Sequence, residues 1–276
     1  MGLRRISMQT FTLNNGLRIP VMGTGTNTFG KVNRDYMGDI NNDTTELESA
    51  LALGYTLIDT AISYRNEGVV GLAIKRSGLN RDTLFITSKI PADDVHTKDE
   101  TCIRNAVDAS LKALDLDVID LYLLHRPLEN NEDNVRVWTV LEALVQEGKL
   151  RSIGVSNFDV DQLEYLLKRC TIKPAVNQIE SHPGLWNDEI IDFCQKNNVF
   201  VEAWGPVKKV SDEAKAVLDS IGSKYGKTWA QVILRYQIER NVIVIPKSHK
   251  EANQKANLEI FDFSLTDEEK TLIQKL

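Results

Sequence analysis

The chain has 276 residues, of which 42% are hydrophobic, and its formal net charge at pH 7 is -6. That length suits one large domain or two small ones with an ample core. The acidic balance, without any basic stripe, argues against nucleic acid as a partner, and no apolar run approaches the roughly 20 residues that span a bilayer.

The N-terminal sequence and the cysteine content predict a cytoplasmic protein whose cysteines are reduced. The N-terminus carries two arginines, but no apolar segment of signal-peptide length follows them. Cys102, Cys170 and Cys194 are far apart and form no CxxC pair. No two of the four histidines have the spacing of a catalytic zinc site, so no metal is predicted.

The first predicted element is a β-hairpin at residues 11–19, with two short strands around the Asn15-Gly16 turn. Apolar, β-branched runs then alternate with amphipathic stretches along the rest of the chain. The predicted strands are 21–23, 57–59, 84–88, 119–124, 151–155, 175–179, 200–203 and 242–245. The predicted helices are 45–53, 68–77, 99–114, 135–147, 160–169, 188–197, 213–225, 229–239, 250–257 and 265–275.

Eight strand–helix units in one chain predict an α/β fold, a (β/α)8 TIM barrel that forms a single domain over residues 1–276. The N-terminal hairpin is expected to close the bottom of the barrel. Asp43 is expected to cap the first helix, and Ser211 or Asp212 the helix at 213–225. A doubly wound sheet is the alternative, but the sequence at 23–28 lacks the third glycine of GxGxxG.

Three apolar runs end in a polar side chain. Asp59 ends the first, Lys89 the second and His125 the third, and Tyr64 follows Asp59 by five residues. Because the carboxyl ends of the strands of a parallel barrel share one face, these side chains are expected to converge on one pocket. Taken singly, each has a plainer interpretation as a cap, a packing residue or a core histidine.

Together the four residues can protonate a carbonyl oxygen. Free tyrosine has a pKa of about 10, and a nearby ammonium such as that of Lys89 is expected to lower it. Asp59 would hold Lys89 charged, and His125 would hydrogen-bond the same oxygen. No side-chain nucleophile is evident in the sequence, so a hydride from a nicotinamide is the natural attacker of the carbonyl carbon.

The sequence resembles the aldo-keto reductases over nearly its whole length, and its short loops are similar to those of bacterial members such as diketo-gluconate and glyoxal reductases. The segments that carry the resemblance are 54–67, 86–89, 121–127, 153–158, 176–183, 244–248 and 261–266. The family's catalytic tetrad falls on Asp59, Tyr64, Lys89 and His125. The resemblance implies that Tyr64 is the proton donor, that Lys89 and Asp59 depress its pKa, and that His125 orients the carbonyl.

The resemblance also implies a nicotinamide site. Amide and hydroxyl side chains grip the carboxamide, an aromatic ring stacks on the nicotinamide, and the loop after it carries the pyrophosphate. The residues implied for these roles are Ser156, Asn157, Gln178, Trp204, Gly205 and Pro206. Strand-end capping and core packing are the alternatives for these side chains.

Lys247 and Ser248 follow the last predicted strand, just before a helix N-terminus, where an anion is favoured. By resemblance they hold the 2'-phosphate of NADPH, and Asn257 holds the adenine. Asn253 stands where the family has Arg, which removes a guanidinium that could bind phosphate. NADPH (NADP+) is therefore the predicted cofactor, with use of NADH left open.

Asn27 and Arg126 stand where many family members have tryptophan, and they are the predicted substrate-binding residues. Arg126 could attract anionic substrates or pair with Glu129 or Glu132 on the surface. The expected activity is NADPH-dependent reduction of small aldehydes, α-dicarbonyls or keto sugars by a monomer. A nicotinamide-binding subunit without turnover and a metal-dependent hydrolase are the alternatives.

Overall fold

The computed structural model describes residues 8–276, and its strands alternate with helices along almost the whole chain. The strands are β1 (Thr10–Thr12), β2 (Arg18–Pro20), β3 (Gly23–Gly25), β4 (Leu57–Asp59), β5 (Phe85–Ile90), β6 (Ile119–Leu124), β7 (Leu150–Ser156), β8 (Val176–Glu180), β9 (Phe200–Trp204) and β10 (Val242–Val244).

The α-helices follow the strands with short connections. They are α1 (Thr45–Leu53), α2 (Glu67–Ser77), α3 (Asp94–Thr97), α4 (Glu100–Leu114), α5 (Asn131–Gln146), α6 (Val160–Leu167), α7 (Asp188–Lys196), α8 (Asp212–Ser223), α9 (Trp229–Glu239), α10 (Glu251–Leu258) and α11 (Asp267–Gln274). Among the described residues, no helix is both long enough and apolar enough to cross a membrane.

Strands β3 to β10 form one eight-stranded parallel sheet in chain order. The sheet closes on itself, because Met22 bridges Val244 in parallel and the Val244 amide donates to the Val21 carbonyl at 3.0 Å. The predicted (β/α)8 barrel is therefore confirmed, and the doubly wound sheet is wrong. The predicted first strand, 21–23, is wrong by two residues: Val21 and Met22 are used in the closure, and pairing with β4 begins at Gly23.

The N-terminal hairpin closes the bottom of the barrel, as predicted. Strands β1 and β2 pair antiparallel. Asn14 Nδ2 at its tip donates to the carbonyls of Pro174 at 2.8 Å and Asn198 at 3.0 Å, and Asn15 Nδ2 donates to Ser152 Oγ at 2.7 Å. These partners lie at or just before the amino ends of the barrel strands, so the opposite, carboxyl end stays open.

The period-two alternation of the strands decides which side chains face the barrel axis. A small inner core contains Leu57 of β4 and both Leu121 and Leu123 of β6, all fully buried. Asp59 and His125 continue these alternating series by two residues at the open end. The strand register therefore brings polar side chains to the top of the barrel, above this apolar inner core.

The helix starts follow the predicted caps closely. The Ser211 side chain accepts from the Ala214 amide at the start of α8. At α1 the N-cap position is Thr44, one residue later than predicted, but Asp43 Oδ1 still accepts from the Thr45 amide at 3.0 Å. The carboxylate therefore satisfies a free amide of the first turn from outside the helix.

Candidate active site

Lys89 is the centre of a hydrogen-bonded cluster at the open end of the barrel. It lies in β5, fully buried, and its Nζ donates to Asp59 Oδ1 at 2.7 Å and to the Thr60 carbonyl at 2.9 Å. The third donation is to Tyr64 Oη at 3.2 Å. Tyr64 ends a single 3-10 turn, Ile62–Tyr64, that follows β4 and brings the phenol back over the end of that strand.

His125 is the fourth of the residues predicted from the sequence to converge on one pocket. It follows β6 directly, and its ring meets the edge of the Tyr64 ring with centroids 5.7 Å apart and planes at 80°. The Asn157 side chain donates to the His125 carbonyl at 3.1 Å, which ties the end of β6 to the end of β7. The arrangement thus joins a phenol, an ammonium, a carboxylate and an imidazole in one partly open site.

The charges of this cluster set the protonation of its members. Burial alone lowers the pKa of Lys89, but Asp59 and Tyr64 more than offset it and raise that pKa above its ordinary value. The ammonium therefore stays charged. Burial raises the pKa of Tyr64; Lys89 counteracts this, whereas Asp59 adds to it. The expectation of a depressed phenol pKa is wrong for this structure, because loss of water outweighs the single ammonium.

The pKa of the His125 imidazole shifts in the opposite direction, downward. Burial, with the positive charges of Lys89 and Arg126, lowers the pKa of His125 to about 3. The ring is therefore neutral over the physiological range, with one nitrogen available as a hydrogen-bond donor. A protonated phenol and a neutral imidazole are two donors that can address the same carbonyl oxygen.

Gln178 connects this cluster to a second buried acid, Glu202. Its Nε2 donates to Asp59 Oδ2 at 2.8 Å and to Glu202 Oε1 at 2.5 Å. Both N–H groups are thus taken, and the side-chain carbonyl is left for another donor. Burial, together with the Asp59 carboxylate, raises the pKa of Glu202 to about 8, so this carboxyl is largely protonated at neutral pH.

Around Gln178, the side chains at the ends of β7 and β9 fix one another. Ser156 Oγ donates to the backbone carbonyl of Gln178 at 2.9 Å, and Asn157 Nδ2 donates to Ser156 Oγ at 3.0 Å. Trp204 Nε1 donates to Asn157 Oδ1 at 3.1 Å, which holds the half-buried indole at the site. Gly205 and the buried Pro206 begin the next loop, with Gly205 at a φ of 62°.

These groups fit a nicotinamide. The side-chain carbonyl of Gln178 can accept from a carboxamide NH2, because the side-chain N–H groups are already donated to Asp59 and Glu202. The neighbouring indole offers a ring face for stacking. Residues 156, 157, 178 and 204 therefore lie together at the ends of β7 to β9, and their role in binding the nicotinamide stays a prediction.

The predicted phosphate residue Lys247 lies beside the first barrel loop. Its Nζ donates to Asn27 Oδ1 at 2.9 Å and to Thr28 Oγ1 at 2.8 Å. Thr28 Oγ1 is also 2.8 Å from His249 Nε2, and His249 Nδ1 is 2.8 Å from a Glu46 carboxylate oxygen. Asn27, predicted to bind substrate, therefore contacts Lys247, the residue predicted to bind the 2'-phosphate.

The other residues predicted to bind the phosphate or the adenine lie on α10 or just before it. Ser248 Oγ accepts from the Lys250 amide at 3.1 Å, next to the start of α10. Asn253 is exposed and Asn257 is buried on that helix. Lys208, which the sequence reasoning missed, places its Nζ 5.6 Å from the centre of the Trp204 ring. The cations of Lys208 and Lys247 fit the negative charge of a nucleotide phosphate.

Arg126 is exposed directly after His125. Within residues 8–276 it forms no ion pair, so the proposed surface pairs with Glu129 and Glu132 are absent. Glu132 instead accepts from the Tyr165 hydroxyl at 2.8 Å. Its charge lies close enough to His125 to help lower the pKa of that imidazole.

Sequence reasoning missed Glu202, although a signal was available. An acidic residue in the middle of a buried strand is rare unless it has a partner. Glu202 is opposite Gln178 in the parallel register of β8 and β9, so the two would meet once the strands were paired. The contacts of the loop between β3 and α1, in contrast, could not be predicted from the sequence.

The chain is similar to known proteins along almost its whole length. Residues 21–276 match the sequence model of the Aldo/keto reductase family. The glyoxal reductase of Bacillus subtilis (strain 168) is 41% identical over 268 residues, which cover 97% of this chain and 92% of that protein.

Two solved structures extend the likeness to the fold. The aldo/keto reductase from Brucella melitensis has a TM-score of 0.89 and 38% identity, and the match covers 98% of this chain and 99% of that chain. A Bombyx mori aldo-keto reductase in complex with NADP has a TM-score of 0.87 and 32% identity, over 98% and 93% of the two chains.

Proposed function

Because the chain belongs to the aldo/keto reductase family, we propose that it reduces small aldehydes and α-dicarbonyls to alcohols with Tyr64 as the proton donor. The protein is an NADP-dependent oxidoreductase that acts on carbonyl groups. The observation that carries the proposed mechanism is the chain of contacts from Asp59 through Lys89 Nζ to Tyr64 Oη, at 2.7 and 3.2 Å.

In this mechanism the Tyr64 hydroxyl donates its proton to the substrate oxygen as negative charge develops there. The raised pKa keeps the phenol protonated and ready to donate at neutral pH. Lys89 then stabilises the phenolate, at lower cost because its ammonium is already buried and held by Asp59. NADPH supplies the hydride to the carbonyl carbon when it is bound.

His125 is proposed to orient the carbonyl. Its neutral ring donates one hydrogen bond without adding a charge that would compete with Lys89. The edge contact with Tyr64 fixes the two donors relative to each other. A carbonyl oxygen that bonds both donors therefore has a restricted position, which favours reaction over simple binding.

The cofactor is proposed to lie across the ends of β7 to β10. Gln178, with Ser156 and Asn157, would hold the carboxamide, and Trp204 would stack on the ring. The remaining residues proposed for the phosphates and adenosine are Gly205, Pro206, Lys208, Lys247, Ser248, Asn253 and Asn257. Two cations support the preference for NADPH, whereas Asn253 in place of arginine leaves some use of NADH.

Small α-dicarbonyls are the preferred substrate class in this proposal. The likeness to the glyoxal reductase of Bacillus subtilis supports it, and the exposed Arg126 offers a charge to a polar second group on the substrate. Small aldehydes and keto sugars remain within the proposed range. Asn27 would act on substrate only indirectly, through its contact with Lys247.

The test is the loss of NADPH absorbance with methylglyoxal in the wild type and in Tyr64→Phe. Loss of the proton donor is expected to lower kcat by about 10²- to 10⁴-fold, while NADPH affinity, followed by fluorescence titration, changes little. Tyr165→Phe, which removes a hydroxyl on the outer helix α6, is the matched control and should keep full activity.

Two outcomes would contradict the proposal. Wild-type protein that binds NADPH tightly but reduces no carbonyl compound would indicate a nicotinamide-binding subunit without turnover. Activity in Tyr64→Phe within about threefold of the wild type would leave the reductase in place but remove Tyr64 as the donor.

A further inference from the structure

The loop between β3 and α1, residues 26–44, folds back on itself close to the proposed proton donor. The Val32 amide donates to the Asp39 carbonyl at 2.9 Å across the fold. Gly38 makes this closure feasible, because a Cβ there would lie 2.6 Å from the Val32 carbonyl oxygen. Residues 31–40 are called the 31–40 hairpin below.

The hairpin is fastened to the segment that carries Tyr64. Arg65, the next residue, donates from Nη2 to the Gly38 carbonyl at 3.1 Å and to the Tyr36 carbonyl at 3.4 Å. Lys31 donates to the same Tyr36 carbonyl at 2.5 Å, and its Nζ lies 4.8 Å from the centre of the Tyr36 ring. The backbone and ring of Tyr36 are therefore held by two cations.

Tyr36 meets the proposed proton donor directly. Its ring lies edge-on to the Tyr64 ring, with centroids 6.0 Å apart and planes at 76°. The Tyr64 ring thus has an aromatic neighbour on two sides, His125 and Tyr36. Tyr36 differs from His125 in that 39% of its surface is still exposed, so it has ring area left to offer to a bound molecule.

The hairpin is also unusually apolar for an exposed segment. Seven large hydrophobic side chains are strongly exposed in the part of the chain that the structure describes, and three of them lie in these ten residues: Val32, Tyr36 and Met37. Met37 is the most open of the three, with 68% of its surface exposed. Clustered apolar surface next to reactive polar groups is typical of a ligand-binding wall.

We propose that the 31–40 hairpin, through Tyr36, is a wall of the substrate site that favours, within the proposed class of aldehydes and α-dicarbonyls, the compounds with an aromatic or bulky apolar substituent. The inference rests on the proposed reduction with Tyr64 as donor. A carbonyl oxygen on the Tyr64 hydroxyl brings the substituent of the same molecule next to the surrounding rings. An aryl group there gains edge or stacking contact with Tyr36, which a methyl group is too small to make.

The experiment compares phenylglyoxal with methylglyoxal, both with NADPH, in the wild type, Tyr36→Ala and Tyr36→Phe. We expect Tyr36→Ala to lower kcat/KM for phenylglyoxal about tenfold, a loss of about 1.4 kcal/mol, mainly through KM. The value for methylglyoxal should stay within about twofold. Tyr36→Phe keeps the ring and should restore the preference, and Tyr165→Ala on α6 is the matched control.

The outcomes distinguish failure of the inference from failure of the proposed function. The selectivity inference is overturned if Tyr36→Ala leaves the ratio of kcat/KM for phenylglyoxal to that for methylglyoxal unchanged. An equal loss on both dicarbonyls would mean that the ring only supports Tyr64. If the wild type reduces neither compound, the proposed function fails, and the inference fails with it. Met37→Ser, at an exposed position where folding is not at risk, should also lower kcat/KM for phenylglyoxal relative to that for methylglyoxal.

Discussion

Glu202→Gln should make the protein more stable, and increasingly so as pH rises. Glu202 is fully buried in β9, and its Oε2 has no hydrogen-bond partner among the described residues. Burial raises the pKa of this carboxyl from 4.5 to about 8. The folded protein therefore keeps a proton on Glu202 over a pH range in which the unfolded chain has already released it.

The sign and size follow from linkage. An acid whose pKa is higher in the folded state costs no stability below the unfolded value and costs progressively more as pH rises toward the folded value. A tenfold change in an acid dissociation constant corresponds to about 1.4 kcal/mol. The rise in the Glu202 pKa from 4.5 to about 8 therefore amounts to a loss of about 5 kcal/mol, nearly complete above about pH 8. Glutamine is neutral throughout and escapes it.

Urea unfolding followed by tryptophan fluorescence, at about pH 5, 7 and 9, would measure this. The free energy of unfolding of Glu202→Gln minus that of the wild type should be small at about pH 5 and reach about 5 kcal/mol at about pH 9. Glu129→Gln, an exposed glutamate, is the control and should show no such trend. Parallel pH dependence of wild type and Glu202→Gln would refute the reasoning.

Three further results are expected. Lys247→Ala should raise the KM for NADPH about tenfold or more and that for NADH far less, because it removes a charge that only the 2'-phosphate requires; equal changes would exclude that role. Because the pKa of His125 is lowered to about 3, its protonation should cause no inflection in kcat/KM between about pH 5 and 8, and an inflection that disappears in His125→Gln would contradict this. Asp120→Ala should lower the free energy of unfolding by about 3 kcal/mol, because the buried carboxylate accepts from Arg81 at 2.6 Å and Arg151 at 3.0 Å, and a urea midpoint close to that of the wild type would argue against it.

The barrel and the residues at its strand ends were predictable from the sequence, for a physical reason. A strand buried on both faces reads as an apolar run, so the polar residue that ends it is conspicuous. Asp59 ends β4 and His125 directly follows β6, whereas Lys89 is the second-last residue of β5. The first barrel strand was misplaced because the apolar residues Val21 and Met22 close the barrel on Val244 rather than pair with β4.

Effects that depend on three-dimensional surroundings could not be read from the sequence. The direction in which the Tyr64 pKa moves depends on how much water the fold removes, which spacing does not reveal. Tyr36 lies in a loop without periodicity, so its contact with Tyr64 had no sequence signal. Glu202 was detectable in principle, but only after β8 and β9 had been paired in register.

The hairpin at the amino end of the barrel has a consequence for how this protein can change. Asn14 and Asn15 bind the strand ends there, and Asp120 pairs with two arginines nearby, so substitutions at that end should show in unfolding curves. The 31–40 hairpin at the other end is held mostly by its own backbone and by Arg65. A library confined to its exposed positions, scored separately for yield and for turnover, should therefore vary substrate preference while the amount of folded protein stays nearly constant.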